Sequence, residues 1–175
     1  MWDSLAECPH CGQPTSWNDT HKELMCTNPE CDGIRFAKIV FFFKICGVED
    51  MGEQMFDKLY QAGFNTISRI LNITANDILD IDGFAEGTAN IILVNMEKIK
   101  SGIDLPTLMQ ASDCFPGIGV IKARKLIDAL PGKEQENLYN TDFFYDDELI
   151  NNRAEASRLE TDKSFWRGFN KFHQF

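Results

Sequence analysis

The sequence has no long apolar stretch. Its most apolar run, Ile39-Val40-Phe41-Phe42-Phe43, is five residues, whereas a membrane span needs roughly 20, so no membrane partner is expected. Positive charge is also scarce. The chain carries 17 Lys and Arg against 27 Asp and Glu, a formal net charge of −10, which excludes a simple polybasic nucleic-acid tail. Residues 1–7, Met-Trp-Asp-Ser-Leu-Ala-Glu, hold neither a basic n-region nor an apolar h-region. No signal peptide is expected there, and a cytoplasmic location follows by default. In that compartment cysteines more often bind metal than form disulfides. With 43% hydrophobic and 25% charged residues the composition is globular rather than disordered or collagenous. A length of 175 residues fits one medium domain or two small modules.

Four of the six cysteines are ordered as Cys8-x2-Cys11, fourteen residues, then Cys26-x4-Cys31. Two close pairs separated by a short loop have the spacing of a four-thiolate zinc site. Each pair carries turn residues: Cys8-Pro9-His10-Cys11-Gly12 and Cys26-Thr27-Asn28-Pro29-Glu30-Cys31-Asp32-Gly33. Gly12 supplies the positive φ that such a turn uses, and Gly33 is read the same way. Four thiolates fill a tetrahedral ion, so the zinc is expected to be structural. His10 and His21 are alternative ligands. Cys46 and Cys114 have no partner at metal spacing and read as buried, inert thiols.

Beyond the cysteines the chain reads as short helices. Ile39 to Phe43 suits either a strand or a buried helix. Three hairpin-like segments then stack: Val48-Glu49-Asp50-Met51-Gly52-Glu53, Ile81-Asp82-Gly83-Phe84-Ala85-Glu86 and Phe115-Pro116-Gly117-Ile118-Gly119-Val120. Their central apolar residues Met51, Phe84 and Ile118 lie 33 and 34 residues apart. Each precedes an amphipathic pattern: Met55, Leu59 and Ala62; Ala89, Ile92 and Met96; Val120, Ala123, Ile127 and Leu130. Short helices are predicted ahead of the second and third, at 75–80 and 105–112, with Pro106 suited to a first helical turn.

Residues 134–162 hold nine acidic and two basic residues. The tract Asp142-Phe143-Phe144-Tyr145-Asp146-Asp147-Glu148 reads as part of a solvated linker with docking aromatics; a carboxylate metal site or a nuclease centre is the alternative. The tail 163–175 has three basic residues and no acid. Phe165, Phe169 and Phe172 there read as a core-facing helix stripe, and a glycine-free fourth hairpin is expected through 159–163. The expected fold is mainly α: a four-cysteine zinc finger at 1–35, hairpin-linked helices at 36–132, and an acidic linker with a degenerate last hairpin at 133–175.

A Gly-x-Gly turn entering a helix lets a ligand approach the backbone, and the helix's unpaired N–H groups and dipole attract an anion. Gly117, Ile118 and Gly119, with Lys122 and Arg124 beyond them, therefore form a candidate phosphate clamp, with Gly83 and Gly52 as weaker equivalents. Asp50 replaces the first glycine in the first copy and Ala85 the second glycine in the second. A net negative chain opposes DNA binding, but residues 104–133 carry four basic against three acidic residues.

Cys-Pro-His-Cys-Gly, Cys-Thr-Asn-Pro-Glu-Cys and the following hairpins resemble the C-terminal half of NAD-dependent DNA ligases. Val48 to Gly63 is similar to that family's first helix-hairpin-helix repeat, and Phe115 to Gly119 looks like one of its phosphate-binding hairpins. The resemblance covers about Cys8 to Leu130. It implies a structural Zn2+ and a grip on nicked double-stranded DNA in replication and repair. It also implies nick sealing together with an adenylation and oligonucleotide-binding part. In that family the adenylated lysine begins a Lys-x-Asp-Gly motif. None of this chain's lysines does so, which leaves no catalytic residue here, and NAD would be bound by the adenylation part. A start at Met1 just before the finger suggests a separate subunit of a split, bacteriophage-type ligase; a truncated chain is the other possibility. A stand-alone, sequence-nonspecific DNA-binding or repair adaptor is the alternative function, and a protein-interaction module a third.

Overall fold

A computed structural model describes residues 7–18, 21–115, 117–130 and 132. The expected acidic linker, phenylalanine stripe and fourth hairpin lie outside them. The described chain is two short strands, β1 (Thr15–Trp17) and β2 (Leu24–Cys26), followed by seven helices. These are α1 (Asp32–Ile45), α2 (Glu53–Gln61), α3 (Ile67–Leu71), α4 (Ala75–Leu79), α5 (Glu86–Lys100), α6 (Leu105–Ala111) and α7 (Val120–Asp128). The mainly helical expectation holds. Contacts divide the chain into two compact units, one of 1–44 with 48–100 and one of 45–47 with 101–175.

In the first unit β1 and β2 pair antiparallel, Thr15 facing Cys26 and Trp17 facing Leu24. This pairing was not anticipated, because three-residue strands leave too little alternation to read. The run Ile39 to Phe43 is helical, and it lies within α1. Ile39, Phe42 and Phe43 face inward, and Phe43 stacks on Phe56 of α2 with centroids 5.4 Å apart. On α2 the inward residues are Phe56 and Leu59, whereas Ala62 is exposed. The expected stripe therefore stops short of Ala62. The chain leaves the helix there: the Gly63 amide donates to Tyr60 and the Phe64 amide to Leu59, with Gly63 at φ +96°. That paired closure is a Schellman cap. The anticipated helices at 75–80 and 105–112 appear as α4 and α6, their final residues Asp80 and Ser112 serving as caps. Thr74 and Asp77 close a reciprocal capping box on α4.

The three turns begin alike, with a positive φ. Their first positions, Asp50, Gly83 and Gly117, have φ of +58°, +78° and +74°. Two residues later the chain is extended at Gly52 and Gly119 as each caps its helix. The Phe84 amide donates to Ile81 at 3.1 Å and the Ile118 amide to Phe115 at 3.1 Å, so the second and third turns close alike.

The first turn is held by a residue that no pattern singled out. Asn95, buried on α5, accepts from the Glu49 amide at 2.9 Å and donates to the Glu49 carbonyl at 2.9 Å. It also donates to the Ile91 carbonyl, and Lys98 pairs with the Glu49 carboxylate at 3.1 Å. Asn95→Ala strips Glu49 of both backbone partners. It should cost about 2 kcal/mol, measured by urea unfolding against the parent.

Candidate metal centre and nucleic-acid interface

The metal site is assembled from two tight turns. In the first, the Gly12 amide donates to Cys8 at 2.8 Å with Gly12 at φ +68°. In the second, the Asn28 amide points at the Cys26 sulfur, 3.4 Å away. Its carbonyl accepts from Cys31 and its side chain from the Glu30 amide. Cys26 ends β2, and Cys31 directly precedes α1. The four sulfurs all lie within 4.8 Å of one another, with Cys8–Cys31 at 3.8 Å and Cys11–Cys26 at 3.5 Å. A tetrahedral ion with metal–sulfur bonds of about 2.3 Å places its ligands roughly 3.8 Å apart. The cluster therefore fits a four-thiolate metal ion such as zinc.

Charge agrees with the geometry. The His10 and Cys11 amides bring the Cys8 thiol down to about 6. At Cys26 the Asn28 amide also lowers the pKa, but burial and the neighbouring thiols outweigh it and push it up to about 12. Four close thiols cannot all ionise without a cation among them.

Neither histidine joins the cluster. His10 instead fills the space over Gly33, where a Cβ would come within 2.6 Å of its ring. Gly33 is thus a close-approach glycine inside α1, not the second positive-φ turn residue expected from its position. Cys46 and Cys114 are half-buried, not buried as expected, because each lies in a turn beyond a helix end rather than on an inward helix face. Partial burial still pushes the Cys46 thiol up to about 11. Substituting Cys26 by Ser should remove bound metal and unfold the N-terminal module, since metal binding supplies much of a small module's folding energy. Metal analysis paired with circular dichroism checks this.

Electrostatics separates the three turns. The first opens onto a depression of about 590 Å3 bounded by Phe36, Gly52, Glu53, Gln54 and Asp57. The second lies beside one of about 540 Å3 whose lining includes Asp57, Asp77, Asp80 and Asp82. Its one cation, Lys58, is already engaged: Nζ donates to the Asp82 carbonyl at 3.2 Å and sits 5.4 Å over the Phe84 ring. An anion approaching Gly52 or Gly83 meets carboxylates.

The third turn differs. The first turn of α7 has no acid, and the adjoining groove of about 480 Å3 is lined by Gln110, Gly119, Val120, Ile121, Lys122 and Lys125. Gln110 of α6, unsuspected from sequence, accepts the Val120 amide at 2.8 Å. The Ile121 and Lys122 amides have no hydrogen-bond partner among the described residues. Lys122 Nζ donates to the Gly117 carbonyl at 3.1 Å. Ile118 is buried at 3% exposure, so only its backbone can meet a ligand. Arg124 pairs with Asp104, which partly neutralises that expected cation.

The chain shares sequence with proteins from a virus and from bacteria. One from Acanthamoeba polyphaga mimivirus is 36% identical over 109 residues, 58% of this chain and 17% of the relative. One from Mycoplasmopsis pulmonis is 25% identical over 165 residues, 91% of this chain and 24% of the relative. A third, from Chlamydia felis, is 30% identical over 103 residues, 57% of this chain and 16% of the relative. These relatives are DNA ligases. The chain is thus similar to part of a DNA ligase and spans a quarter or less of their length. No protein-family profile matches it, and no solved structure does. No helix among the described residues is long and apolar enough to cross a membrane.

The two glycines of the third turn separate folding from binding. Gly117 needs its positive φ, and Gly117→Ala should cost about 1–2 kcal/mol of stability. Gly119 has φ −85°, and a Cβ there would lie 3.4 Å from Gln110 Oε1, so Gly119→Ala should fold nearly as the parent. If phosphate approaches this backbone, Gly119→Ala should weaken nicked-duplex binding at unchanged melting temperature. Fluorescence anisotropy beside thermal melting reads both.

Proposed function

We propose that this chain is the DNA-gripping part of an NAD-dependent DNA ligase. The observation that carries the reading is its similarity to DNA ligases over 57–91% of its own length and only 16–24% of theirs. Ordered thiols followed by turns of repeated geometry support it. In this reading residues 1–35 form a structural zinc finger with Cys8, Cys11, Cys26 and Cys31 as ligands. Zinc there would supply folding energy and no chemistry, because four protein ligands leave no open coordination position.

Residues 36–132 act as helix-hairpin-helix units. The third turn is the principal phosphate site. Gly117 and Gly119 let the backbone come close, the Ile121 and Lys122 amides donate, and Lys122, Lys125 and Arg124 add cationic character. Gly52 and Gly83 contribute backbone contacts opposed by nearby carboxylates, and their turns serve packing first. Such contacts fix position on a duplex without reading its sequence.

The chain would bind no NAD and carry no adenylated lysine. Its contribution to sealing is to hold a nick beside a reactive lysine supplied by an adenylation and oligonucleotide-binding part. Positioning of reactants is worth up to about 7–11 kcal/mol in the best intramolecular cases. The experiment is to incubate this chain, a ligase adenylation part, and both together with labelled NAD and a nicked duplex. Adenylylation of the partner should depend little on this chain. Nick sealing should rise when both are present, and that gain should fall as salt weakens phosphate contacts. Label attached covalently to this chain, or sealing by this chain alone, overturns the reading.

A further inference from the structure

Ile121 is 75% exposed, more than Trp17, Met25, Phe41, Leu79 or Val94, which range from 37% to 59%. Single exposed apolar residues are ordinary on a protein surface, so exposure alone carries nothing. Its setting is what matters. Ile121 follows Val120 in the first turn of α7 and shares the groove with Lys122 and Lys125. Its own amide is one of the two without a hydrogen-bond partner among the described residues. One residue therefore offers an N–H donor and an uncovered branched alkyl group, flanked by cations and by no carboxylate within that first turn.

A free inorganic anion would use the donor and the charges but would have nothing to place on the alkyl group. A backbone phosphate of duplex DNA has both parts, since each phosphate is bonded to deoxyribose, whose C–H faces are apolar. We propose that Ile121 packs on the deoxyribose next to the phosphate held at the third turn. The inference rests on the DNA-binding reading above and adds to it a salt-independent contact. Counterion release comes from neutralised phosphates, and an alkyl–sugar contact neutralises none. Binding at this turn would then have two separable components: an ionic one from Lys122 and Lys125, and an apolar one from Ile121. Neither distinguishes one base pair from another.

The test uses the full chain, a nicked duplex and an intact duplex, with dissociation constants measured over a series of salt concentrations. Ile121→Ser should weaken binding about fivefold to tenfold, from the apolar area returned to water. The slope of log affinity against log salt should stay as in the parent. Ile121→Leu should restore most of the affinity. Lys122→Ala should instead lower the slope by about one. Because Ile121 is exposed, equal melting temperatures for parent and Ser variant are expected. Parental affinity in Ile121→Ser overturns the proposal while leaving the DNA-binding reading intact, and so does a reduced slope in that variant. If Ile121→Ser lowers sealing by a mixed ligase but leaves duplex affinity unchanged, the residue faces a protein partner and the proposal is equally overturned. No duplex binding by the parent at low salt defeats the DNA-binding reading, and this inference with it.

Discussion

A helix of five to fifteen residues is marginal alone in water, because nucleation is costly and few hydrogen bonds follow. Every helix among the described residues is of that size, so each depends on burying one apolar stripe against another helix. That requires the connecting turn to redirect the chain within a few residues. A positive φ at the first position and extended backbone two residues on accomplish this at the first and third turns. The core follows from it. Phe43, Leu59, Ile78 and Ile92 in one unit, and Met109, Ile118 and Ala123 in the other, are buried because the turns bring their helices together.

Three turns lead into helices, and by backbone alone each helix N-terminus would attract an anion. Side chains decide otherwise. Glu53 and Glu86 stand in the first turns of α2 and α5, where they stabilise the helix dipole and repel phosphate. Stability and anion binding compete for the same position. At α7 the position is left without acid, and a neutral carboxamide, Gln110, takes one amide. A chain of net charge −10 can thus keep one cationic spot, because the relevant field is set within a turn of helix rather than by the total.

Local rules were readable and tertiary ones were not. The cysteine spacing announced the thiol cluster because knuckle turns are short-range devices with their own residues. Gly117 and Gly119 were legible for the same reason. Asp50 in the left-handed region follows only from aligning the three segments, since aspartate alone does not demand that conformation. Ala62 falls off the expected stripe because helical periodicity carries no stop signal, whereas Gly63 does. Gly33 follows a cysteine turn in the sequence, but its lack of a side chain serves to make room for His10. Asn95, Lys58 and Gln110 could not have been found: each acts on a turn far along the sequence or on another helix, and one polar side chain in an amphipathic pattern looks like any other.

The Asn95–Glu49 clamp also constrains the order in which the chain folds. Its two ends are 46 residues apart, so it closes only after the chain has lost the entropy of that loop. The local closures at Gly63 and Thr74 need no such search. Ion pairing between Lys98 and Glu49 comes from the next turn of the same helix and closes the same loop. The first turn therefore acquires its final backbone late, when α5 docks, whereas the turn between α6 and α7 closes over about ten residues. Of the two helix entrances capped by glycine, the one that bears the cations is the one whose assembly waits least on the rest of the chain.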